Sequence, residues 1–379
     1  MLIRLHKIIA MAGKAIHNPR RVVQHGKKFI GKHARIVGNG EWAPLPSTIK
    51  LYVNARCNAR CVMCDIGKKS DTMFSRVCTT DGSDMPLELY EKIVDEVKSF
   101  ASVLNIAGVE PLLHKDIMTM VRYAKTNKLR VVLNTNGLLL EEYAEELAHT
   151  NIESLQVSLD GMEDIHDRVR GVPGAFVATL AGLRALRQCN PGIHIQVNCC
   201  INDINQGQLS PLLRFLLSER LADRVSFIHP YFVTDQAAGE FMGMYPDLGT
   251  ATAVGLTQTQ LQQIDSRVLF HELQRVKELY AEYGVRWEDR FGDFETLNTY
   301  YHDPETRLNS KVCPVPWTVG MIFSTGECGI LNRCLPYRTG NVKTMTFREI
   351  WYGEKYKAFR RVLQQTGGFS VCKRCCGVV

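Results

Sequence analysis

The chain has 379 residues, of which 45% are hydrophobic, so it can bury a substantial core and is long for a single domain. Its formal charge of +7 is concentrated in residues 1–35, which hold nine Lys/Arg and no acidic residue, while the remainder holds 37 basic and 39 acidic residues. This distribution argues against a nucleic-acid-binding body, and we expect no nucleic-acid partner. Thirteen cysteines without a secretory signal indicate a reducing, cytoplasmic compartment in which thiols bind metal, and no uncharged apolar run approaches the ~18 residues of a membrane span.

The first 47 residues are predicted to be a basic, amphipathic helical extension. Apolar residues recur there every three to four positions, with basic residues between them: Leu2, Leu5, Ile9, Ala12 and Ile16. One interpretation is that residues 1–35 attach the protein peripherally to the inner face of an anionic membrane, or bind an acidic substrate. The alternative is a solvated helical extension packed on the main domain.

Three cysteines follow the first predicted strand, at residues 49–54, in the spacing CxxxCxxC. They are Cys57, Cys61 and Cys64. A structural zinc site usually takes four protein ligands in paired knuckles, whereas three cysteines in one loop suit a cubane iron-sulfur cluster whose fourth iron stays open. A zinc knuckle completed from elsewhere and three unrelated buried thiols remain the alternatives.

Residues 48–235 alternate between strand-like and helix-like runs. Strands are predicted at 49–54, 103–107, 130–135, 154–159, 194–201 and 225–229, and helices at 87–100, 117–127, 141–149, 176–188 and 209–219. Six such units without hairpin signals predict a parallel sheet with crossover helices, as an open doubly wound sheet or a partial barrel. In both architectures the active site lies at the carboxyl ends of the strands, where the cysteine loop is predicted.

The remaining residues divide into two predicted regions. Residues 236–300 are predicted to be a linker and a long helix that closes the barrel, with a loop at 233–256 and the helix at 259–283. Residues 301–379 contain six cysteines, a hairpin-like stretch at 321–328 and a predicted helix at 347–363. We expect this region to be a small α+β domain.

The order of motifs at the predicted strand ends resembles the radical S-adenosylmethionine (radical SAM) superfamily. The turn Gly108-Val109-Glu110-Pro111-Leu112-Leu113-His114 is similar to the family's GGEPLLH turn, with Val109 in place of the second glycine. Further matches are Asn134-Thr135-Asn136-Gly137, Ser158-Leu159-Asp160-Gly161, His166-Asp167 and Arg170-Gly171. The resemblance implies an α/β fold with a partial (β/α)6 TIM-like barrel over residues 48–235.

The resemblance also implies the cofactors of the barrel. Cys57, Cys61 and Cys64 would carry a [4Fe-4S] cluster whose open iron binds S-adenosylmethionine, and reduction would release a 5'-deoxyadenosyl radical. By the same resemblance, the remaining cofactor-binding residues would hold the methionine amino group, the ribose, the carboxylate and the adenine. They are Gly108, Val109 and Glu110 for the amino group, Ser158 for the ribose, Arg170 for the carboxylate and Met63 for the adenine.

The carboxyl-terminal cysteines resemble the twitch and SPASM extensions of the superfamily, in which Cys-Pro near a tryptophan opens an auxiliary-cluster domain. Six thiols are too few for two fully ligated cubanes, so one auxiliary [4Fe-4S] cluster is expected. The chain also ends three residues after Cys376, which favours the shorter twitch form. The predicted ligands are Cys313, Cys334, Cys372 and Cys375, with Cys328 as a substitute for Cys334 and Cys376 for Cys375. A structural zinc ribbon is the alternative.

Alternation along the strands predicts a polar lumen. If the apolar set faces the helices, four residues near strand five point inward: Gln196, Asn198, Cys200 and Asn202. The same rule sends inward Lys50, Tyr52, Asn54, Gln156, Ser158 and Asp160. A polar cavity favours a carbohydrate, cyclitol, nucleotide-sugar or lipid-linked glycan as the substrate, oxidised by a dehydrogenase or inverted by an epimerase. Cys200 is the candidate hydrogen donor of an epimerase, and the alternative is a small buried residue.

The sequence is compatible with two other functions. Many relatives with auxiliary clusters modify ribosomal peptides, but the 47 residues before strand one are short and helical for a leader-binding domain. A non-catalytic, zinc- or cluster-stabilised binding protein on a barrel scaffold is the second alternative. The enzymatic reading also implies an external electron donor such as flavodoxin or ferredoxin.

Overall fold

The computed structural model describes residues 40–65, 84–283, 291–308, 312–330, 335 and 337–375. The predicted amphipathic helices of the first 39 residues lie outside this described part. Within it, nine strands form one sheet in the order β6-β5-β4-β3-β2-β1-β7-β8-β9.

The first six strands are parallel, and each pairs with the next in sequence. They are β1 (Thr48–Tyr52), β2 (Val103–Ala107), β3 (Arg130–Thr135), β4 (Ser154–Ser158), β5 (Ile195–Cys200) and β6 (Arg224–Ile228). The helices between them are α1 (Leu87–Val97), α2 (Ile117–Thr126), α3 (Ala144–Ala148), α4 (Glu163–Arg170), α5 (Ala175–Cys189) and α6 (Leu209–Ser218). This order confirms the partial (β/α)6 barrel and all six predicted strands, while α4 was not predicted.

The chain after β6 adds seven helices and three strands to the described structure. The helices are α7 (Asp235–Met244), α8 (Gln258–Gln262), α9 (Ser266–Glu282), α10 (Phe294–His302), α11 (Val315–Thr318), α12 (Phe347–Trp351) and α13 (Glu354–Thr366). The strands are β7 (Val319–Ile322), β8 (Glu327–Gly329) and β9 (Arg338–Asn341).

Three predictions for this region were wrong in detail. The predicted loop at 233–256 contains α7, because Thr234 caps its first turn and its few apolar residues share a buried face. The predicted helix at 259–283 is two helices, since the Asp265 side chain accepts hydrogen bonds from the backbone N–H groups of Arg267 and Val268 and starts α9 anew. The predicted helix at 347–363 is likewise interrupted, at Gly353, between α12 and α13.

The carboxyl-terminal strands continue the sheet of the barrel. β7 pairs in parallel with β1, with Thr48 opposite Val319 and Leu51 opposite Ile322. β8 and β9 then follow as antiparallel neighbours, which confirms the predicted hairpin at 321–328. The carboxyl-terminal segment therefore shares backbone hydrogen bonds with the first strand of the barrel.

The core lies between the sheet and its helices. Along β5, Ile195, Val197 and Cys199 are fully buried, while the residues between them are only partly buried. Each buried Ile or Val side chain contributes roughly 1.5–3 kcal/mol relative to exposure, so one face of each strand is fixed toward the helices. The opposite, more polar face surrounds the lumen. No helix among the described residues has the length and apolar character needed to cross a membrane.

Candidate active site

The cysteine loop follows β1 and is held by the carboxyl end of α4. The backbone N–H of Arg60 donates to the carbonyl of Arg170 at 2.8 Å, and that of Val62 donates to the carbonyl of Val169 at 2.9 Å. Gly171 ends α4 in the left-handed conformation (φ +64°). A Cβ atom at this position would lie 2.6 Å from the Arg60 carbonyl oxygen, so glycine allows the loop and the helix end to approach.

Polar donors surround two of the three loop thiols. The backbone N–H of Ala59 lies 3.4 Å from Cys57 Sγ, and Asn136 Nδ2 lies 3.8 Å from the same sulfur. Arg170 Nη1 lies 3.5 Å from Cys61 Sγ. Burial raises the pKa of Cys57 to about 11 and also raises that of Cys61, where Arg170 opposes the effect. These donors suit thiolate ligands, whose binding to iron displaces the thiol protons.

The three loop thiols have the chemistry of iron-sulfur cluster ligands. In the described part of the chain, no group of three or more His, Cys, Asp or Glu side chains is placed to hold one metal ion. A [4Fe-4S] cubane binds each thiolate through a separate iron, so its ligands need not converge on one point. The residues present therefore fit a cubane, with the polar donors described above directed at its sulfur ligands.

Glu110 joins the turn after β2 to the motif after β3. Its Oε1 accepts hydrogen bonds from the backbone N–H of Leu112 (3.0 Å) and from Thr135 Oγ1 (2.8 Å), and its Oε2 accepts from the backbone N–H of Asn136 (2.6 Å). Burial raises the pKa of Glu110 to about 7, although these donors lower it. The Glu110 side chain thus fixes the shape of the turn that begins at Gly108.

Arg170 connects the cysteine loop to β5 through Asp160. Its Nε lies 2.7 Å from Asp160 Oδ2, and Asp160 Oδ1 accepts a hydrogen bond from the backbone N–H of Cys200 at 2.8 Å. Burial lowers the pKa of Arg170, but Asp160 and the Cys61 thiol raise it by more, so the guanidinium stays charged. A continuous series of contacts therefore runs from Cys61 through Arg170 and Asp160 to Cys200.

One cavity of about 480 Å³ collects all the residues predicted for the barrel site. Its walls include the three loop thiols and seven further predicted residues: Met63, Gly108, Val109, Glu110, Ser158, Arg170 and Cys200. Because they come from loops and strand ends far apart in sequence, the fold assembles them at the carboxyl edge of the parallel strands, as expected for this architecture.

Below these residues, a network of side-chain amides lines the lumen. Gln196 Nε2 donates to Asn198 Oδ1 at 2.8 Å and to Ser226 Oγ at 3.2 Å, while Asn198 Nδ2 donates to Gln156 Oε1 at 3.3 Å. On the neighbouring strands, Asn134 Nδ2 donates to Asn105 Oδ1 at 2.7 Å. The predicted inward direction of the polar residues on β4 and β5 is confirmed.

Three residues predicted to face the lumen instead form contacts within the loops that follow the strands. Asn54 Nδ2 donates to the carbonyl of Glu110 at 2.6 Å, Asp160 pairs with Arg170, and Asn202 is buried in the turn after β5. Each lies beyond the last residue of its strand, where the alternation of a pleated strand no longer determines side-chain direction.

Two residues of the site were missed by the sequence analysis. Asn136 was part of a quoted motif, but its contact with Cys57 depends on the position of the cysteine loop. His229 lines the cavity directly after β6, and its Nδ1 lies 2.7 Å from Tyr301 Oη. The other motifs were recognised because polar residues directly follow a strand. His229 also directly follows a strand, so the same pattern could have identified it.

The predicted auxiliary ligands are only partly within the described structure. Cys313 and Cys372 are buried and Cys375 is partly buried, whereas Cys334 and Cys376 lie outside the described residues. Arg374 anchors the loop that holds Cys372 and Cys375, because its guanidinium donates to carbonyls at the end of α10, among them Tyr300 (2.7 Å) and Thr299 (2.9 Å). The ligand set of this cluster remains a prediction.

Cys328, the predicted substitute for Cys334, lies within the carboxyl-terminal hairpin. It belongs to β8, opposite Ile322 of β7 and Gly340 of β9, and it is fully buried. Burial raises the pKa of its thiol. Its surroundings are those of a core residue of the hairpin.

Two family models match the chain. One, described as the radical SAM superfamily, matches residues 51–216, and the other, described as the SPASM iron-sulfur cluster-binding domain, matches residues 313–376. Together they contain the cysteine loop and all six carboxyl-terminal cysteines. The matched ranges correspond to the barrel and to the segment that extends its sheet.

Several curated proteins are similar over most of their length. An AdoMet-dependent heme synthase of Methanosarcina barkeri is 28% identical over 84% of both chains. A tungsten-containing aldehyde ferredoxin oxidoreductase cofactor-modifying protein of Pyrococcus furiosus is 29% identical over 82% of both. An Fe-coproporphyrin III synthase of Methanosarcina barkeri is 32% identical, but over 46% of this chain and 41% of its own.

Solved structures share the fold at low sequence identity. SuiB of Streptococcus suis superposes with a TM-score of 0.60 at 16% identity, over 98% of this chain and 82% of that one. Native anSMEcpe with bound AdoMet gives a TM-score of 0.56 at 16% identity, over 82% of both chains. These likenesses establish the fold, and the cavity lies at the carboxyl ends of its parallel strands.

Proposed function

Because the chain belongs to the radical SAM superfamily and carries a SPASM domain, we propose that it reductively cleaves S-adenosylmethionine and removes a hydrogen atom from a polar substrate in the barrel lumen. The observation that carries this proposal is the single cavity shared by the three loop thiols, the turn at Gly108, Ser158 and Arg170. No other arrangement in the described residues unites a cluster loop with so many of the family's motif positions.

The cofactors follow from the two domains: a [4Fe-4S] cluster and S-adenosylmethionine in the barrel, and auxiliary iron-sulfur binding in the SPASM domain. When bound, the cluster and S-adenosylmethionine supply the 5'-deoxyadenosyl radical. The protein contributes position, because Arg170 and Asn136 are directed at the sulfur ligands.

The amide-rich lumen supports a substrate with hydroxyl, amide or charged groups. A carbohydrate, cyclitol, nucleotide-sugar or lipid-linked glycan fits this polarity and is the class predicted from the sequence. None of the relatives named above is described as acting on a carbohydrate. A second candidate is an iron porphyrin, favoured by the AdoMet-dependent heme synthase that aligns over most of this chain.

Cys200 favours the epimerase outcome over the dehydrogenase outcome. Among the described cysteines, it is the one thiol that lines the cavity without being a predicted cluster ligand. As an epimerase, the protein would let the Cys200 S–H return a hydrogen atom to the opposite face of the substrate radical, and an external electron and a proton would restore the thiol. As a dehydrogenase, the substrate radical would lose a proton and pass its electron to the auxiliary cluster.

Anaerobic reconstitution of the full chain tests the proposal. We expect about eight irons per chain, since two cubanes hold that number, and dithionite-dependent formation of 5'-deoxyadenosine. A panel containing UDP-glucose and Fe-coproporphyrin III should show which substrate class increases that formation. Bound zinc with no cleavage of S-adenosylmethionine would contradict the enzymatic function and favour the binding-protein alternative.

Replacement of Cys200 by Ala tests the donor role. The C200A variant is expected to keep S-adenosylmethionine cleavage but to lose incorporation of solvent deuterium into the product, because the exchangeable S–H is absent. Cys189→Ala, which removes an exposed thiol outside the cavity, is the matched control. Normal deuterium incorporation by C200A would exclude Cys200 as the donor and assign the returned hydrogen to another group. A wild type that forms product without incorporating solvent deuterium would instead favour the dehydrogenase route.

The electron donor, an alternative activity and membrane attachment remain proposals. Flavodoxin or ferredoxin is proposed as the electron donor. Peptide modification is the alternative activity. Attachment to the inner face of a membrane would depend on residues 1–35. These residues lie outside the described part of the chain, so the attachment is supported by their basic sequence alone.

A further inference from the structure

We propose that Lys50 binds an anionic group of the substrate, a carboxylate or a phosphate, at the floor of the barrel lumen. This inference rests on the proposed function and narrows its substrate class to molecules that carry such a group.

Lys50 lies deep in the lumen, away from the cysteine loop. It lines the same cavity as the loop thiols, but it is the third residue of β1, two residues before Tyr52 on the same face of the strand. At ~3.3 Å per residue, its Cα lies roughly 7 Å further from the loop than that of Tyr52. Its neighbours across the sheet are Asn105 of β2 and Met321 of β7. A substrate that reaches Lys50 therefore extends along the lumen from the cluster side to its floor.

Among the described residues, the Lys50 ammonium has an aromatic partner but no carboxylate partner. Its Nζ lies 5.0 Å from the centroid of the Tyr52 ring, which itself stacks on Phe323. The ion pairs formed by the described residues do not include Lys50. A cation over an aromatic ring gains about 0.5–2 kcal/mol, which is less than the several kcal/mol needed to remove an ammonium from water.

Because the aromatic contact does not offset the cost of desolvation, the Lys50 ammonium needs a further partner when a substrate fills the cavity. Water in the open lumen solvates the ammonium, but a bound substrate displaces this water and leaves the charge in a medium of low dielectric constant. The penalty is offset when the substrate itself presents an anion to Lys50. A neutral substrate of the same shape would bear the full desolvation cost, so the lumen discriminates between the two.

The other basic groups of the cavity wall are already engaged. Arg170 contacts Asp160 and Cys61 near the cluster loop, and His229 contacts Tyr301 Oη. The floor around Lys50 otherwise presents neutral amides, such as Asn105 and Asn134, which donate to anions without adding charge. Lys50 is thus the lining cation that the described protein leaves without a counter-ion.

Binding of small anions to the reconstituted full chain tests the assignment. Inorganic pyrophosphate and succinate are titrated anaerobically by calorimetry, in the presence of S-adenosylmethionine, to distinguish phosphate from carboxylate recognition. Saturable binding of at least one probe is expected for the wild type. Lys50→Met should weaken it at least tenfold, which corresponds to about 1.4 kcal/mol, and Lys50→Arg should restore it to within about threefold. Lys355→Met, an exposed lysine of α13, should bind as the wild type does.

Iron content and substrate-free 5'-deoxyadenosine formation separate this assignment from the proposed function. Both should be unchanged in Lys50→Met, and Lys50→Gln serves as a second neutral variant if the first folds poorly. Equal anion binding by wild type and Lys50→Met, or the absence of saturable binding of both probes to the wild type, would overturn the assignment. Parallel loss of S-adenosylmethionine binding would assign Lys50 to the cofactor instead. Failure of the wild type to cleave S-adenosylmethionine would contradict the proposed function, whatever the anion titration shows.

Discussion

The side chains around the cysteine loop combine positioning with charge control. Asp160 accepts from the backbone of Cys200 and pairs with Arg170, which in turn contacts Cys61. A hydrogen bond to a thiolate ligand and a nearby positive charge both stabilise the anionic sulfur. The same carboxylate therefore orients the guanidinium toward the Cys61 thiol and holds the strand end that carries the candidate hydrogen donor.

His166 makes this region sensitive to acid. Its Nδ1 accepts a hydrogen bond from the backbone N–H of Asp160 at 3.0 Å, and burial, with the charge of Arg170, lowers its pKa from 6.5 to about 3. The unfolded chain gains a proton on His166 below pH 6.5, while the folded chain does not. The free energy of unfolding should therefore fall as the pH decreases from 6.5 toward 3, by up to about 1.4 kcal/mol per pH unit from this group.

Replacing His166 with Asn tests this contribution, because Asn retains an acceptor but does not titrate. As the pH is lowered from 7 to 4, the free energy of unfolding of the wild type should fall relative to that of H166N. Urea denaturation at each pH provides the measurement. His149→Asn, which removes an exposed histidine, is the matched control. Parallel pH profiles for wild type and H166N would show that His166 titrates normally in the folded protein.

At the scale of elements, we expect the junction between α4 and the cysteine loop to control whether the proposed cluster site can form. Gly171 and Gly174 both adopt left-handed conformations, with φ of +64° and +80°, but only Gly171 is in contact with the loop. Gly171→Ala adds a Cβ atom 2.6 Å from the Arg60 carbonyl, whereas Gly174→Ala meets nothing within 4 Å. Both variants bear about 1–2 kcal/mol of backbone strain, and only the first must displace the loop.

The expected result is a selective loss of the barrel cluster. G171A should retain about four of the eight irons and lose 5'-deoxyadenosine formation, while G174A should keep both, apart from a modest decrease in Tm. Iron analysis and absorbance after anaerobic reconstitution provide the measurement. Full iron content in G171A would show that the loop tolerates displacement and that its contact with α4 does not position the thiols.

Elements with a strong repeating pattern were predictable from the sequence, and elements that depend on capping or tertiary contact were not. The six parallel strands and the inward direction of Gln196 and Asn198 follow from alternation, since only one face of each strand can be buried. The helix Asp235–Met244 was missed because its Gly- and Ala-rich sequence resembles a loop until the buried contacts of Phe241 are known.

The site motifs were recognisable one by one, but the contacts of Arg170 with Asp160 and Cys61 join residues up to 109 positions apart. Such contacts depend on loop positions that no local pattern specifies.

At the scale of the whole molecule, the carboxyl-terminal segment and the barrel contribute strands to one sheet. β7 pairs with β1, Trp317 Nε1 donates to the carbonyl of Gly40 at 2.7 Å, and Arg360 donates to the carbonyl of Glu41 at 3.2 Å. The carboxyl-terminal segment therefore completes the side of the barrel that begins with the first strand. A disturbance on either side of this junction should reach both cluster sites.

Gly320 offers a test of this coupling, because it lies in β7 between β1 and α12. A Cβ atom there would lie 2.5 Å from Phe347 Cζ and 2.7 Å from Ile49 Cδ1, and both side chains are fully buried. Gly320→Ala should lower the free energy of unfolding by about 1–3 kcal/mol, because the added methyl group overpacks the core. Gly239→Ala in α7, where a Cβ atom meets nothing within 4 Å, should not destabilise the protein. Tryptophan fluorescence, which includes Trp317 and Trp351 of the carboxyl-terminal segment, and cluster absorbance should report one unfolding transition that shifts together in G320A. Two separated transitions, or carboxyl-terminal unfolding that leaves the barrel cluster intact, would show that the shared sheet does not couple the two segments energetically.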